Sequence, residues 1–208
     1  MSKTLYLECY SGISGDMTVA ALLDLGADRE VLKESLKSLP VGGFRTEITR
    51  VKKSGLDACD FSVILEQDNH DHDMEYLHGS EKSYTGHHEH SHEVNHEHHH
   101  GHTHSHEHPH EHRGMKEITE IIQKSEMTVR AKKMAMRVFD ILAQAESKAH
   151  GVPVEEVHFH EVGAVDSIVD IAAIAICMDN LDISNVIVPV LYEGTGFIRC
   201  QHGQIPVP

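Results

Sequence analysis

The stretch VHFHEVGAVDSIVD, residues 157–170, carries five side chains of types that bind metals or move protons. If residues 157–161 are extended, His158 and His160 share one face of a strand, because side chains alternate with period two. With Glu161 beside them, these imidazoles form a compact site for nickel, zinc, copper or iron. Asp166 and Asp170 share one face of an apolar helix, where carboxylates are costly unless capped, paired or metal-bound. The structural alternative makes Asp166 the helix cap, places Asp170 at the rim and holds the histidines by hydrogen bonds.

The loop YSGISGDMT, residues 10–18, is a second candidate site. A glycine-rich turn between a strand and a helix can direct backbone N–H groups at an anion, although the Lys-Ser/Thr pair of a Walker loop is absent. The candidate phosphate- or nucleotide-binding residues are Ser11, Gly12, Ser14, Gly15 and Asp16. Because Asp16 would repel a bare phosphate, the loop favours a phosphate bridged by a metal ion. The alternative is a tight turn in which Ser14 or Asp16 caps the helix.

A histidine-rich tract is the third candidate, since 17 of the 21 histidines lie between His70 and His112. Neutral imidazole prefers Ni, Cu and Zn over Mg and Ca, and a flexible chain can wrap such an ion without a fixed pocket. The tract therefore suits capture or storage of a metal, since catalysis needs a held geometry. A solvated spacer is the alternative. The candidate ligands with the densest spacing are His98, His99, His100, His102, His104, His106 and His108.

The composition of the chain indicates which kinds of partner it can bind. The chain has 208 residues and a formal net charge of −15, which argues against nucleic acid and suits a cation. The four cysteines show no CxxC spacing and are expected to be reduced thiols, and the N-terminus lacks the apolar region of a signal peptide. The longest apolar run, at 171–178, is too short to span a bilayer. We therefore expect a cytoplasmic protein with no membrane partner.

Periodicity predicts an α/β or α+β fold with a mixed sheet and packed helices. Strands are expected at 4–10 and 186–190, a β-hairpin at 44–53 and 57–67, and helices at 16–26, 28–39, 115–126, 128–151 and 167–180. The domain prediction is an N-terminal α/β segment at 1–67, a disordered His-rich metal-binding insertion at 68–113, and a helical and strand segment at 114–208 that completes the same domain.

Apolar spacing also predicts which helix faces are buried. The expected stripes are Met17, Ala20, Ala21 and Leu25 in the first helix, and Met134, Val138, Ile141, Leu142 and Ala145 in the long helix.

Four strings together resemble the nickel insertion proteins of nickel-pincer cofactor biosynthesis, the LarC family. They are CYSGISGDMTVAALLDLG (9–26), AESKAHG (145–151), VHFHEVGAVDSIVDI (157–171) and GFIRCQHGQIPVP (196–208). The resemblance covers nearly the whole chain outside the tract, and family members often carry a His-rich insertion. The family usually has Asp where this sequence has Glu8. The chain resembles the N-terminal half of the full-length proteins.

The resemblance implies insertion of nickel into pyridinium-3,5-bisthiocarboxylic acid mononucleotide, with nickel–carbon and nickel–sulfur bonds formed. It implies CTP together with Mn or Mg, and a product that serves lactate racemase, whose apoprotein is a further candidate partner. It also implies partnership with the C-terminal half of the same protein, which is expected to hold the main CTP-binding part. We further expect a homo-oligomer.

Under this hypothesis the tract captures Ni(II), and His158, His160 and Glu161, with Cys9 as a further candidate, hold or relay it. The loop 11–16, with Asp166 and Asp170, positions a metal-bridged phosphate. The base that removes the pyridinium proton is Asp16, His158 or His160, and the sequence does not choose among them. The alternatives are a non-catalytic nickel chaperone or storage protein and, more weakly, a CTP-independent phosphohydrolase.

Overall fold

A computed structural model describes residues 3–10, 12–66, 113–159, 162–192, 194–200 and 203–207. The elements on either side of the His-rich tract belong to one compact unit. The insertion predicted at 68–113 lies, apart from Arg113, outside the described residues, and its disorder stays a prediction. Within the described ranges, no helix is long and apolar enough to cross a membrane.

The fold combines five α-helices with four strand pairs over the described ranges, and the predicted α/β class with packed helices is confirmed. The strands are β1 (Lys3–Tyr6), β2 (Phe44–Lys53), β3 (Leu56–Leu65), β4 (Arg113–Gly114), β5 (His158–Phe159), β6 (Ile183–Ile187), β7 (Phe197–Cys200) and β8 (Gly203–Pro206). The helices are α1 (Gly15–Asp24), α2 (Arg29–Lys37), α3 (Met115–Lys124), α4 (Val129–His150) and α5 (Val165–Asn180).

Strand pairing is antiparallel except between β1 and β6, which run parallel. The predicted β2–β3 hairpin is confirmed, and Ser54 and Gly55 both adopt positive φ at its tip. Such a two-residue turn matches the right-handed twist of the strands. The prediction of a strand at 4–10 was too long, since β1 ends at Tyr6 and an isolated bridge between Cys9 and Leu191 continues the pairing.

Caps explain where the helices begin and end. The Asp28 carboxylate accepts hydrogen bonds from the backbone N–H groups of Glu30 and Val31, at 2.9 and 3.2 Å, and so caps α2 as its sequence predicts. Gly151 ends α4 in the left-handed conformation, with φ of 67°. The alternative in which Asp166 caps α5 is wrong, because Ala164 holds that position and Asp166 lies in the first turn.

The buried stripes agree with the predicted ones only in part, since Ala20 is buried and Met134 and Leu142 pack against the core. In α1 the buried residues are Val19, Ala20, Leu22 and Leu23, whereas Met17 and Leu25 are exposed. The reason is that α1 packs against both the hairpin strand β3 and helix α5. The buried residues of α4 are Ala131, Ala135, Phe139 and Ala143, while Val138 and Ile141 face outward. A ranking of side chains by hydrophobicity predicts that Val and Ile are buried before Ala. Alanines at i, i+4 spacing, however, let α4 approach α5 closely.

Asp24, at the end of α1, ties this helix to the hairpin. Its carboxylate accepts a hydrogen bond from the Cys59 backbone N–H at 2.8 Å and pairs with Arg50. Arg50 also pairs with Asp57 at 2.6 Å. The backbone hydrogen bond from Cys59 and the Arg50 guanidinium lower the pKa of Asp24, so the carboxylate stays charged and the link persists.

The corrected packing of α1 can be tested with two leucines of the same helix. Leu22 is fully buried and Leu25 is exposed. We expect Leu22→Ala to lower the free energy of unfolding by about 2–5 kcal/mol, because it leaves a cavity. Leu25→Ala should change it by less than about 0.5 kcal/mol. Urea denaturation measures both, and equal losses would contradict the packing described here.

Candidate active site

The candidate site lies at the carboxyl ends of the parallel strands β1 and β6. In open α/β folds, ligands bind where such strands end and their loops diverge. The loop after β1 contains Gly12 with φ of 80°, and the Gly12 backbone N–H donates to the Cys9 carbonyl at 3.2 Å. The loop after β6 meets it, because the rings of Tyr10 and Tyr192 lie 5.7 Å apart. Two loops that are far apart in sequence therefore form one edge.

Ser14 and Asp16 lie at the start of α1. Ser14 occupies the cap position, but its side chain makes no capping bond and instead donates to the Asp16 carboxylate. The same carboxylate oxygen accepts the Met17 backbone N–H at 2.8 Å. These two hydrogen bonds hold Asp16 at the helix N-terminus, where the dipole favours negative charge. Its side chain remains exposed to incoming ligands.

Gly15 packs directly against Asp170 of α5. A Cβ atom placed on Gly15 would lie 2.3 Å from Asp170 Oδ2 and 2.8 Å from its Cβ. Any larger residue would force the two helices apart, so glycine at this position is a requirement of close approach. The contact places the predicted phosphate loop beside Asp170, one of the two predicted helix carboxylates, although residues 15 and 170 are 155 positions apart in the sequence.

Asp170 is the most perturbed carboxyl of this site. Burial raises its pKa to about 7, with further contributions from the negative charges of Asp16 and Asp166, against a backbone hydrogen bond from Asp16. Its Oδ1 atom is buried and has no hydrogen-bond partner. A desolvated carboxylate oxygen facing two further acids is stabilised either by a proton or by a cation.

His158 lies on β5, which pairs with β4, the first described strand after the His-rich tract. Gly114 stands opposite His158, and a Cβ placed on Gly114 would lie 3.8 Å from His158 Nδ1 and 3.2 Å from Glu117 Oε2. Glu117 accepts the Gly114 backbone N–H at 3.0 Å. Sequence reasoning did not identify Glu117, although the spacing from Gly114 to Glu117 is that of a capping box.

The described residues form only part of the predicted metal site. Within these ranges, no three His, Cys, Asp or Glu side chains are grouped so that they could hold a metal ion. His160, Glu161, Ser11 and the histidines of the tract lie outside the described residues. Burial raises the pKa of the Cys177 thiol to about 12 and also raises that of Cys59, so both thiols are protonated at neutral pH when no metal is bound.

A surface pocket of about 410 Å³ lies between α2 and β2, away from these acids. Its cations Lys33, Lys37 and Arg45 are paired with Glu30, Glu34 and Glu47. Since these charges are already balanced, the pocket is a weaker anion site than its lysines suggest.

These features define an α/β protein with an acidic site at the carboxyl edge of a parallel strand pair. The sequence profile of the family described as nickel insertion protein matches residues 5–208. The chain belongs to that family.

Similar proteins carry specific names. The chain is 51% identical over its whole length to a pyridinium-3,5-bisthiocarboxylic acid mononucleotide nickel insertion protein of Alkaliphilus metalliredigens, covering 44% of that protein. Proteins of the same name from Clostridium acetobutylicum and Geobacillus kaustophilus are 45% and 42% identical over 99% of the chain, which covers 47% and 43% of them. The chain thus spans less than half the length of these relatives. No solved structure matches it significantly.

The pKa of Asp170 predicts a pH-dependent stability. Between its ordinary value of 3.8 and about 7, the folded protein holds a proton that the unfolded chain releases. Stability therefore falls as pH rises through this window, in the absence of a divalent cation. We expect Asp170→Asn to remove this loss, so that its Tm exceeds that of the wild type at pH 8 and approaches it at pH 5.

The control is Asp140→Asn on α4, and the measurement is thermal unfolding in a chelating buffer. Wild type and Asp140→Asn should show the same decline of Tm with pH. A wild-type curve that runs parallel to that of Asp170→Asn would contradict the assigned pKa.

Proposed function

We propose that the protein takes part in nickel insertion into pyridinium-3,5-bisthiocarboxylic acid mononucleotide, as the part corresponding to the N-terminal half of its relatives. The family match over residues 5–208 carries this proposal. In the reaction, Ni(II) replaces a pyridinium C–H hydrogen, which leaves as a proton, and also binds the two thiocarboxylate sulfurs. Nickel stays divalent, so no oxidant or reductant is required. The product is the nickel-pincer cofactor of lactate racemase, and its apoprotein is a candidate recipient.

The proposed route of nickel begins in the His-rich tract, where His98, His99, His100, His102, His104, His106 and His108 capture Ni(II). The pairing of β4 with β5 supports the next step. It places Gly114 opposite His158, and Gly114 is two positions after His112, the last histidine of the tract. His158, His160 and Glu161 then hold nickel for transfer. In the product a single molecule holds nickel through one carbon and two sulfur atoms, and this chelation favours transfer from the protein.

The acidic edge is the proposed place of a metal-bridged phosphate. Mg²⁺ and Mn²⁺ are held by one or two carboxylates together with phosphate oxygens, so a cage of three protein ligands is not needed. Asp16 and the unpartnered Oδ1 of Asp170 fit that role, with Asp166 adding negative charge. The loop residues Ser11, Gly12, Ser14 and Gly15 would face the phosphate, which belongs either to CTP or to the substrate mononucleotide. In this proposal the insertion reaction uses CTP together with the divalent cation.

Asp16, His158 and His160 are the candidates for the base that accepts the pyridinium proton. Asp16 is exposed at the strand edge and is held by Ser14 and Met17, which supports it as a positioned acceptor. His158 is exposed on β5. A non-catalytic nickel chaperone is the second candidate function, and the density of imidazoles in the tract favours it.

The test uses this chain joined in frame to the part of the Alkaliphilus metalliredigens relative that follows the matched region. Insertion is measured with the mononucleotide, CTP and Mn²⁺ while nickel is varied. Deleting residues 68–112 should raise the nickel concentration for half-maximal rate by about tenfold and leave the maximal rate unchanged. His158→Ala should lower the maximal rate by at least about tenfold.

His150→Ala is the matched histidine control, because His150 lies at the C-terminal end of α4, where it pairs with Glu146. It should retain the full rate. If deletion of the tract abolishes insertion at every nickel concentration, the chaperone function is correct. If the intact protein releases phosphate without nickel and forms no nickel product, it is a phosphohydrolase. Full activity of His158→Ala would remove that residue from the mechanism.

A further inference from the structure

Strand β6 and the segment after it form an exposed apolar ribbon, which we define as residues 183–192. Its sequence, ISNVIVPVLY, contains no charged residue in a chain of net charge −15. Ile183 is buried, but the large apolar side chains that follow it are 43–54% exposed. They are Val186, Ile187, Val188, Val190, Leu191 and Tyr192.

Both faces of this ribbon are about half exposed. Successive side chains of a strand point to opposite faces, and the consecutive residues Val186 and Ile187 of β6 are both exposed. A continuous run of β-branched and aliphatic residues is typical of a parallel strand that is covered on both faces. Here β6 pairs only with β1 among the described strands. Two strands alone make a poor independent sheet, so the ribbon has the composition of a central strand in the position of an edge.

We infer that the ribbon is the docking surface for the chain that follows the matched region in the relatives. Those proteins match this chain over only 43–47% of their length, at their N-terminal end, so more than half of each lies beyond it. The ribbon is separated from the end of the match only by the β7–β8 hairpin, and a segment on the same chain reaches it at high effective concentration. The occupant supplies a strand or an apolar face and adds no charge to the contact.

A second copy of this chain is a weaker occupant, because two molecules of charge −15 repel each other while the ribbon offers no compensating cation. The inference goes beyond the proposed function, since it concerns assembly and holds whatever the site binds. It has one consequence for the site. Tyr192 of the ribbon contacts Tyr10 of the loop that leads to Asp16, so the docked segment forms part of the wall of the acidic edge.

Hydrogen exchange tests the inference on two proteins, this chain alone and the same chain joined to the continuing part of the Alkaliphilus metalliredigens relative. Backbone amides of residues 184–192 should exchange more than about tenfold more slowly in the longer protein. The hairpin tip at residues 53–56 is the internal control and should not change. Sedimentation of the short chain should show a monomer, in which case the homo-oligomer expected from the sequence belongs to the longer protein.

Lysine substitutions in the ribbon provide a second test of the inference. Val188→Lys with Leu191→Lys should leave the Tm of the short chain nearly unchanged, because both side chains are exposed. In the longer protein the same pair should abolish the protection of residues 184–192, whereas Leu25→Lys on α1 should not. Equal exchange in the two proteins would overturn the inference. So would a dimer of the short chain that protects the same amides, because a second copy would then be the occupant.

Discussion

The contact between Gly15 and Asp170 is the constraint on which the site depends. An added Cβ would fall 2.3 Å from the Asp170 carboxylate, so the start of α1 can lie against α5 only if residue 15 has no side chain. That approach buries one carboxylate oxygen without a partner and raises the pKa of Asp170 to about 7. The same helix α5 is the most buried element among those described, with Ile168, Val169, Ala172 and Ala173 in the core. Core packing therefore fixes an ionisable group in place.

Local patterns predicted the helices and the hairpin well because their signals are local, whereas the strand predicted at 186–190 is found at Ile183–Ile187. The hairpin follows from period-two alternation around Ser54-Gly55, and α2 follows from Asp28 and its capping bonds. The buried faces of α1 and α4 could not be read in this way. Their burial depends on which neighbours pack against them, and alanines such as Ala135 and Ala143 became core residues because helices meet there.

In the candidate site, too, local signals were predicted and long-range contacts were not. Residue type and spacing pointed to the glycine loop and to the pair Asp166 and Asp170, but not to the contact that joins them, since a contact between positions 15 and 170 leaves no local signature. Glu117 was missed for the same reason, because strand pairing places Gly114, whose backbone N–H Glu117 accepts, opposite His158. The two proposed roles make different demands on a chain. Nickel capture needs many imidazoles without a fixed arrangement, whereas positioning a phosphate needs a few fixed oxygens.

The central claim is that Asp170 binds a divalent cation together with Asp16 at the carboxyl edge of β1 and β6. Electron paramagnetic resonance of Mn²⁺ at pH 8 measures it directly, on the intact chain and on Asp170→Asn, each with CTP present. Because the His-rich tract is the same in both proteins, any Mn²⁺ that it binds cancels in the comparison. The account predicts that the substitution removes one bound Mn²⁺ per chain. Equal Mn²⁺ binding by the two proteins would contradict it and would leave the buried carboxyl of Asp170 a structural group that is stabilised by its proton.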